Sequence, residues 1–107
     1  MSKYLLLYRG PATPMDSFTP EQSAEQMKLW GDWMGRVGSA LVDAGAPFGA
    51  RAAVRDDGAS PEPSDQNGYS IVEADSLEGA KAFTKGHPFL SGGDGRFTVE
   101  IFELVPM

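Results

Sequence analysis

The chain contains no cysteine, which excludes a disulfide framework and any thiolate nucleophile or thiolate metal site. It contains a single histidine, His87, and its carboxylates are scattered, so no metal-ligand spacing exists and no metal or cofactor is expected. Asp56-Asp57-Gly58 starts like a calcium loop but lacks the remainder, and Gly92-Gly93-Asp94-Gly95 lacks the lysine of a phosphate-cradling loop. Long apolar runs are missing too. The opening Met-Ser-Lys-Tyr-Leu-Leu-Leu-Tyr-Arg has three consecutive leucines, too few for the apolar region of a signal peptide or for a membrane span. The expected address is therefore cytoplasmic, with no membrane partner. Basic residues are outnumbered, 9 against 15 acidic, and the net charge is −6. An acidic domain without a basic run repels a phosphate backbone, so no nucleic-acid partner is expected.

What is present suits one globular domain covering residues 1–107, with 41% apolar and 22% charged residues. A chain this short has a small stability margin, and pairing with a second copy is a common way to enlarge its core. The first predicted strand runs from Lys3 to Arg9, with Tyr4, Leu6 and Tyr8 on one face and Leu5 and Leu7 on the other. Apolar residues on both faces predict a central strand covered on both sides. Gly10-Pro11 ends it, and Gly10 to Phe18 reads as a loop. A helix then starts with Thr19 as N-cap, Pro20 at the first position and Gln22 at capping-box spacing. Met27, Trp30, Met34, Val37 and Leu41 form its predicted buried stripe, and Gly45 its stop. Gly31, Gly35 and Gly38 each cost about 1 kcal/mol relative to alanine. They share a face, which predicts a groove for close packing or for a ligand.

Phe48 to Val54 reads as a short second strand and Asp56 to Asn67 as a solvated loop. Gly68 to Ala74 is a third strand, with Tyr69, Ile71 and Glu73 opposite Ser70 and Val72. Asp75 or Ser76 caps a second helix whose inner face is Leu77, Ala80 and Phe83 or Thr84, ended by Gly86 and Pro88. Ser91 to Gly95 turns into a last strand from Arg96 to Val105. This order, strand-helix-strand twice, is the ferredoxin-like βαββαβ arrangement of the α+β class, with two helices on one face of a four-stranded antiparallel sheet. Its other face is left bare and apolar, which predicts a homodimer closing into a dimeric α+β barrel.

Several segments resemble the YCII-related family: Lys3-Tyr4-Leu5-Leu6-Leu7-Tyr8, then Leu41-Val42-Asp43-Ala44-Gly45 followed by Pro47 and Gly49. Gly68 to Glu78 is similar to the family's third strand and the start of its second helix, and Val99 to Leu104 to its last strand. The resemblance implies the dimeric α+β barrel and, in many members, enzymatic activity that is unassigned. It also implies an acid–base pair, a histidine in the first helix and an aspartate near that helix's C-terminal end. Asp43 falls at the aspartate's place. Met34 or Gly35 stands at the histidine's, and neither can move a proton, so the pair does not carry over. The Asp-Gly-Pro-Phe motif of a related branch is absent; the comparable segment is Ala46-Pro47-Phe48-Gly49.

Of the residues able to carry chemistry, His87 titrates near neutrality and sits between Gly86 and Pro88, which define its backbone. Asp94, across the next turn, could orient its imidazole; the plainer role of His87 is to cap the second helix. Arg9 could hold a carboxylate or phosphate, or form a surface ion pair, and it adjoins Tyr8. Glu100 and Glu103 lie on opposite faces of the last strand. Trp30, Trp33, Met34, Phe48 and Tyr69 could line an apolar pocket or simply build the core. Three functions follow: a cofactor-independent enzyme acting on a small molecule by acid–base chemistry, a non-catalytic small-molecule-binding or accessory module, and a structural dimer with a filled barrel. A cavity between the sheet and the first helix separates the first two from the third.

Overall fold

The computed structural model describes residues 1–10, 19–90 and 95–106. Residues 11–18 of the predicted loop Gly10 to Phe18 and residues 91–94 of the predicted turn Ser91 to Gly95, Asp94 among them, lie outside the described residues. Six elements follow in order: β1 (Ser2–Arg9), α1 (Pro20–Val37), β2 (Leu41–Asp43), β3 (Gln66–Ala74), α2 (Leu77–Ala82) and β4 (Thr98–Leu104). The sheet order is β2-β3-β1-β4 with every neighbouring pair antiparallel, so β1 lies between β3 and β4, and β3 between β2 and β1. Each strand-helix-strand unit is therefore split by a strand of the other, the ferredoxin-like topology.

Alternation along β1 decides the layers. Tyr4, Leu6 and Tyr8 are buried, and their cross-strand partners include Val72, Ser70, Ile101 and Val99. The helices lie on this face, contributing Trp33, Val37 and Ala80 to the core. The other face carries Leu5 opposite both Ile71 and Phe102, with Leu7 and Leu104 beside them. Phe102 is 47% exposed there and Leu104 37%. Among the described residues no helix is long and apolar enough to cross a membrane.

The N-terminus of α1 is built as its sequence specifies. The Thr19 hydroxyl accepts from the Gln22 amide at 3.1 Å, and the Gln22 side chain accepts from the Thr19 amide at 2.9 Å. Its end is not where the apolar spacing put it. Gly38, with φ of +61°, caps the helix after Val37, and a single 3-10 turn, Gly38–Ala40, leads straight into β2. Leu41 therefore belongs to a strand, and the expected strand from Phe48 to Val54 is replaced by an irregular segment tied to the sheet by one bridge, Pro47 to Gly68. The buried stripe is also rotated: Trp33 is 1% exposed, whereas Met27 is 76% exposed. Leu77, expected inside, is 51% exposed, and Ala80 carries the inner face of α2. Ser76 is the cap, its hydroxyl accepting from the Gly79 amide. Among the described residues the face of Gly31, Gly35 and Gly38 meets nothing: a Cβ added at any of them would have no atom within 4 Å, so they form no packing seam with those residues.

Candidate functional site

His87 lies just past α2, in a turn that its neighbours define. Gly86 takes φ of +69°, and the Arg36 side chain from α1 donates to the Gly86 carbonyl at 3.0 Å. Pro88 opens a 3-10 turn, Pro88–Leu90. The imidazole is 1% exposed, ringed by Tyr8, Trp30 and Trp33 with centroids 5.0, 4.8 and 4.3 Å away. Trp33 is itself anchored, its indole N–H donating to the Phe83 carbonyl at 2.8 Å.

The hydrogen bonds around His87 have one self-consistent direction. Its Nδ1 accepts from the Phe89 amide at 3.1 Å, so the neutral ring carries its proton on Nε2, which donates to the Tyr8 hydroxyl at 3.0 Å. Tyr8 donates to Ser70 Oγ at 2.6 Å, and Ser70 donates to the Ala44 carbonyl at 2.8 Å. Among the described residues no buried side-chain polar atom lacks a partner. Burial, with the Arg36 charge nearby, lowers the His87 pKa from 6.5 to about 4, and burial raises that of Tyr8 from 10.0 to about 12 although its bond to Ser70 opposes this. At neutral pH both groups are therefore uncharged.

Tyr8 is also part of the wall of a cleft of about 770 Å³, between α1, the segment after β2 and the start of β3. Trp30 and Met34 come from α1, Phe48 from the segment after β2 and Tyr69 from β3, with Phe89 and Phe97 closing one side. The volume falls within the range of small-molecule sites. The Phe48 and Tyr69 rings stack at 6.0 Å with an interplanar angle of 22°. Tyr8 meets Trp30 edge-on at 5.5 Å. Among the described residues of the wall, those with polar side chains are Tyr8, Tyr69, Asn67 and Arg51.

Five residues singled out as binding candidates thus line one cleft: Tyr8, Trp30, Met34, Phe48 and Tyr69. Arg9 does not join them. It follows Tyr8 on a strand and so points to the opposite face, where it pairs with Asp65 at 2.8 Å; both side chains are more than half exposed. Asp43 is on β2 rather than at a helix end, because α1 stops early. Its carboxylate accepts from the Gly45 amide at 2.8 Å and the Tyr69 hydroxyl at 3.2 Å, and it has no bond to His87. Trp33 packs on His87 instead of lining the cleft. Asp57 serves its own turn, accepting from Arg55 and from the Ala59 amide. Among the described residues no group of three or more acidic or histidine side chains could hold a metal.

The sequence reading passed over Ser70, Asn67, Phe89, Phe97 and Arg51. Ser70 left a signal: a lone hydroxyl on the buried face of a strand, between Gly68 and Val72, has to find a hydrogen-bond partner. Phe89 and Phe97 left none, since they reach the cleft only through the turn that follows α2.

Fold and cleft together define a small ferredoxin-like α+β domain with an aromatic-walled cleft. No protein-family model matches the chain, and no curated protein does. Among solved structures it is similar to 5-chloro-2-hydroxyhydroquinone dehydrochlorinase from Burkholderia phenoliruptrix, in complex with 2,5-dihydroxybenzoquinone. The TM-score is 0.59 at 14% identity, over 96% of this chain and 93% of that one. At that identity the likeness is one of fold, and it agrees with the fold that the YCII-related resemblance implies.

Proposed function

We propose that this chain is a YCII-related enzyme that binds a small planar ring in the aromatic cleft and moves a proton on it, with Tyr8 as the acid, without a cofactor. The observation that carries this reading is the hydrogen-bonded line from His87 through Tyr8 to Ser70, whose middle member is part of the cleft wall. In the resting state Tyr8 donates to Ser70. When it turns its proton to a ligand oxygen or carbon, two donors are in place for the phenolate left behind. His87 already offers Nε2–H, and Ser70 can redirect its own O–H from the Ala44 carbonyl. Hydrogen bonds to the charged form lower a pKa, so these donors counter the burial that raises Tyr8. A neutral imidazole with a low pKa suits the part, because it donates a hydrogen bond without first having to lose a proton.

The solved dehydrochlorinase is named for a hydroxylated ring and was captured with a quinone; we carry that ring chemistry over as a choice of probe. Wild-type protein should accelerate deuterium uptake from D₂O at the ring carbons of 2,5-dihydroxybenzoquinone. Tyr8→Phe should lose about 10²- to 10⁴-fold of that rate while binding the quinone about equally well. His87→Gln, which keeps an N–H donor, should retain more rate than His87→Ala.

A second reading, a binding module without turnover, is favoured by the completeness of the resting network: every member is already satisfied, as in a purely structural array. Binding of the quinone with no wild-type acceleration would select it. In either case we infer that the bare sheet face meets a second copy of the chain.

A further inference from the structure

Among the described residues one formally charged side chain lines the cleft, that of Arg51. In a chain of net charge −6, it is a cation set into a wall otherwise aromatic, small or neutral. Its surroundings differ from those of other arginines. Arg9 and Arg55 each pair with a carboxylate at 2.8 Å, Asp65 and Asp57 respectively, and Arg36 bonds the Gly86 carbonyl. Arg51 has no carboxylate within ion-pair distance among the described residues, and Asp65, already paired with Arg9, feels its charge only from farther off. Its Nη1 donates to the carbonyls of Ser64 at 3.3 Å and Gln66 at 2.5 Å, and these are its only hydrogen bonds among the described residues. Nε and Nη2 keep their donors. One corner of the guanidinium is thus tethered, and the opposite edge still has the fork that matches a carboxylate. Tethering restricts a long side chain before any ligand arrives, which reduces the ordering cost of binding. Phe48, three positions before Arg51, stacks on Tyr69 in the same wall, so a flat apolar surface and a cation share one cleft.

We propose that Arg51 is the specificity-determining residue of the cleft, and that its ligand is a planar aromatic or quinonoid acid whose carboxylate the guanidinium receives. A carboxylate is assigned rather than a phosphate because, among the described residues, a single cation stands there, with no second lysine or arginine in the lining. This rests on the reading of the cleft as a site for planar rings, and the test separates the two.

Calorimetric titration with 2,5-dihydroxybenzoate and with hydroquinone compares rings that differ by the carboxylate. Wild type should bind the acid at least tenfold more tightly, with the preference shrinking as salt is added. Arg51→Gln should bring the acid down to the affinity of hydroquinone and leave hydroquinone unchanged, and Arg51→Lys should restore part of the preference. Equal binding of both rings by wild type overturns the role of Arg51 and leaves the ring site standing. So does a preference that survives in Arg51→Gln. Loss of both rings in Arg51→Gln, unrescued by Arg51→Lys, also overturns it, since that is a loss of the loop rather than of selectivity. If wild type binds neither ring, the ring site itself fails and this proposal with it.

Discussion

His87 owes its neutral state to its position. An imidazole ordinarily titrates near 6.5, and here burial holds it at about 4. Between those values the unfolded chain binds a proton that the folded chain refuses, so stability rises with pH across that window. The contribution is fully present above about pH 6.5 and is lost progressively as pH falls from there to about 4, by which point the loss amounts to about 3 kcal/mol. Urea unfolding of wild type and His87→Gln between pH 7 and 4 isolates it from the carboxylates both proteins share. The wild-type advantage should shrink by about that amount. Parallel curves would mean that His87 is not a buried neutral group. The candidacy of His87 was legible in the sequence, from its being the lone histidine between Gly86 and Pro88. Its partners were not, because Tyr8 lies 79 positions away and Ser70 comes from a third strand.

Glycines at the scale of elements behave in opposite ways. Gly45 was read as a helix stop and instead lets the segment after β2 run against β3. It has φ of +76°, and an added Cβ would stand 1.7 Å from the Tyr69 carbonyl oxygen. Gly45→Ala should therefore destabilise by about 2 kcal/mol or more, through both the left-handed backbone and the clash. Gly31 and Gly35 lie within α1, have ordinary φ, and have open space where a Cβ would go. Alanine at either should stabilise by about 0.5–1 kcal/mol. Thermal melts of the three variants read both signs. A destabilised Gly31→Ala or Gly35→Ala would mean that the glycine face is covered in solution. The spacing of Met27, Trp30, Met34, Val37 and Leu41 overran the true helix end because Leu41 continues the apolar rhythm while already pairing with Val72 in the sheet.

For the whole molecule, the sheet has one face under two helices and one face bare. Leu5, Leu7, Ile71, Phe102 and Leu104 make that bare face apolar, and a second copy offers the same surface to cover it. Sedimentation should show a dimer at micromolar concentration. Leu5→Asp, at the centre of the row from Ile71 to Phe102, should give monomers that keep their secondary structure. A wild-type monomer would show that the face needs no partner. Tyr8, Trp30 and Met34 belong to the helix side of the sheet, whereas Tyr69, in register with Leu7, belongs to the bare side, so the cleft reaches the edge of the inferred dimer contact.

The amino-acid order alone determined β1, β3, β4 and the capped start of α1, because alternation and capping are local rules that a few adjacent residues satisfy. With them came the ferredoxin-like order and the aromatic residues of a pocket. Only the tertiary structure decided where α1 stops, that Arg9 turns away from the cleft, and that Tyr8, Ser70 and His87 form one hydrogen-bonded line. Those outcomes depend on strand pairings and turns that join distant parts of the chain, and contacts between distant residues leave no period in the sequence.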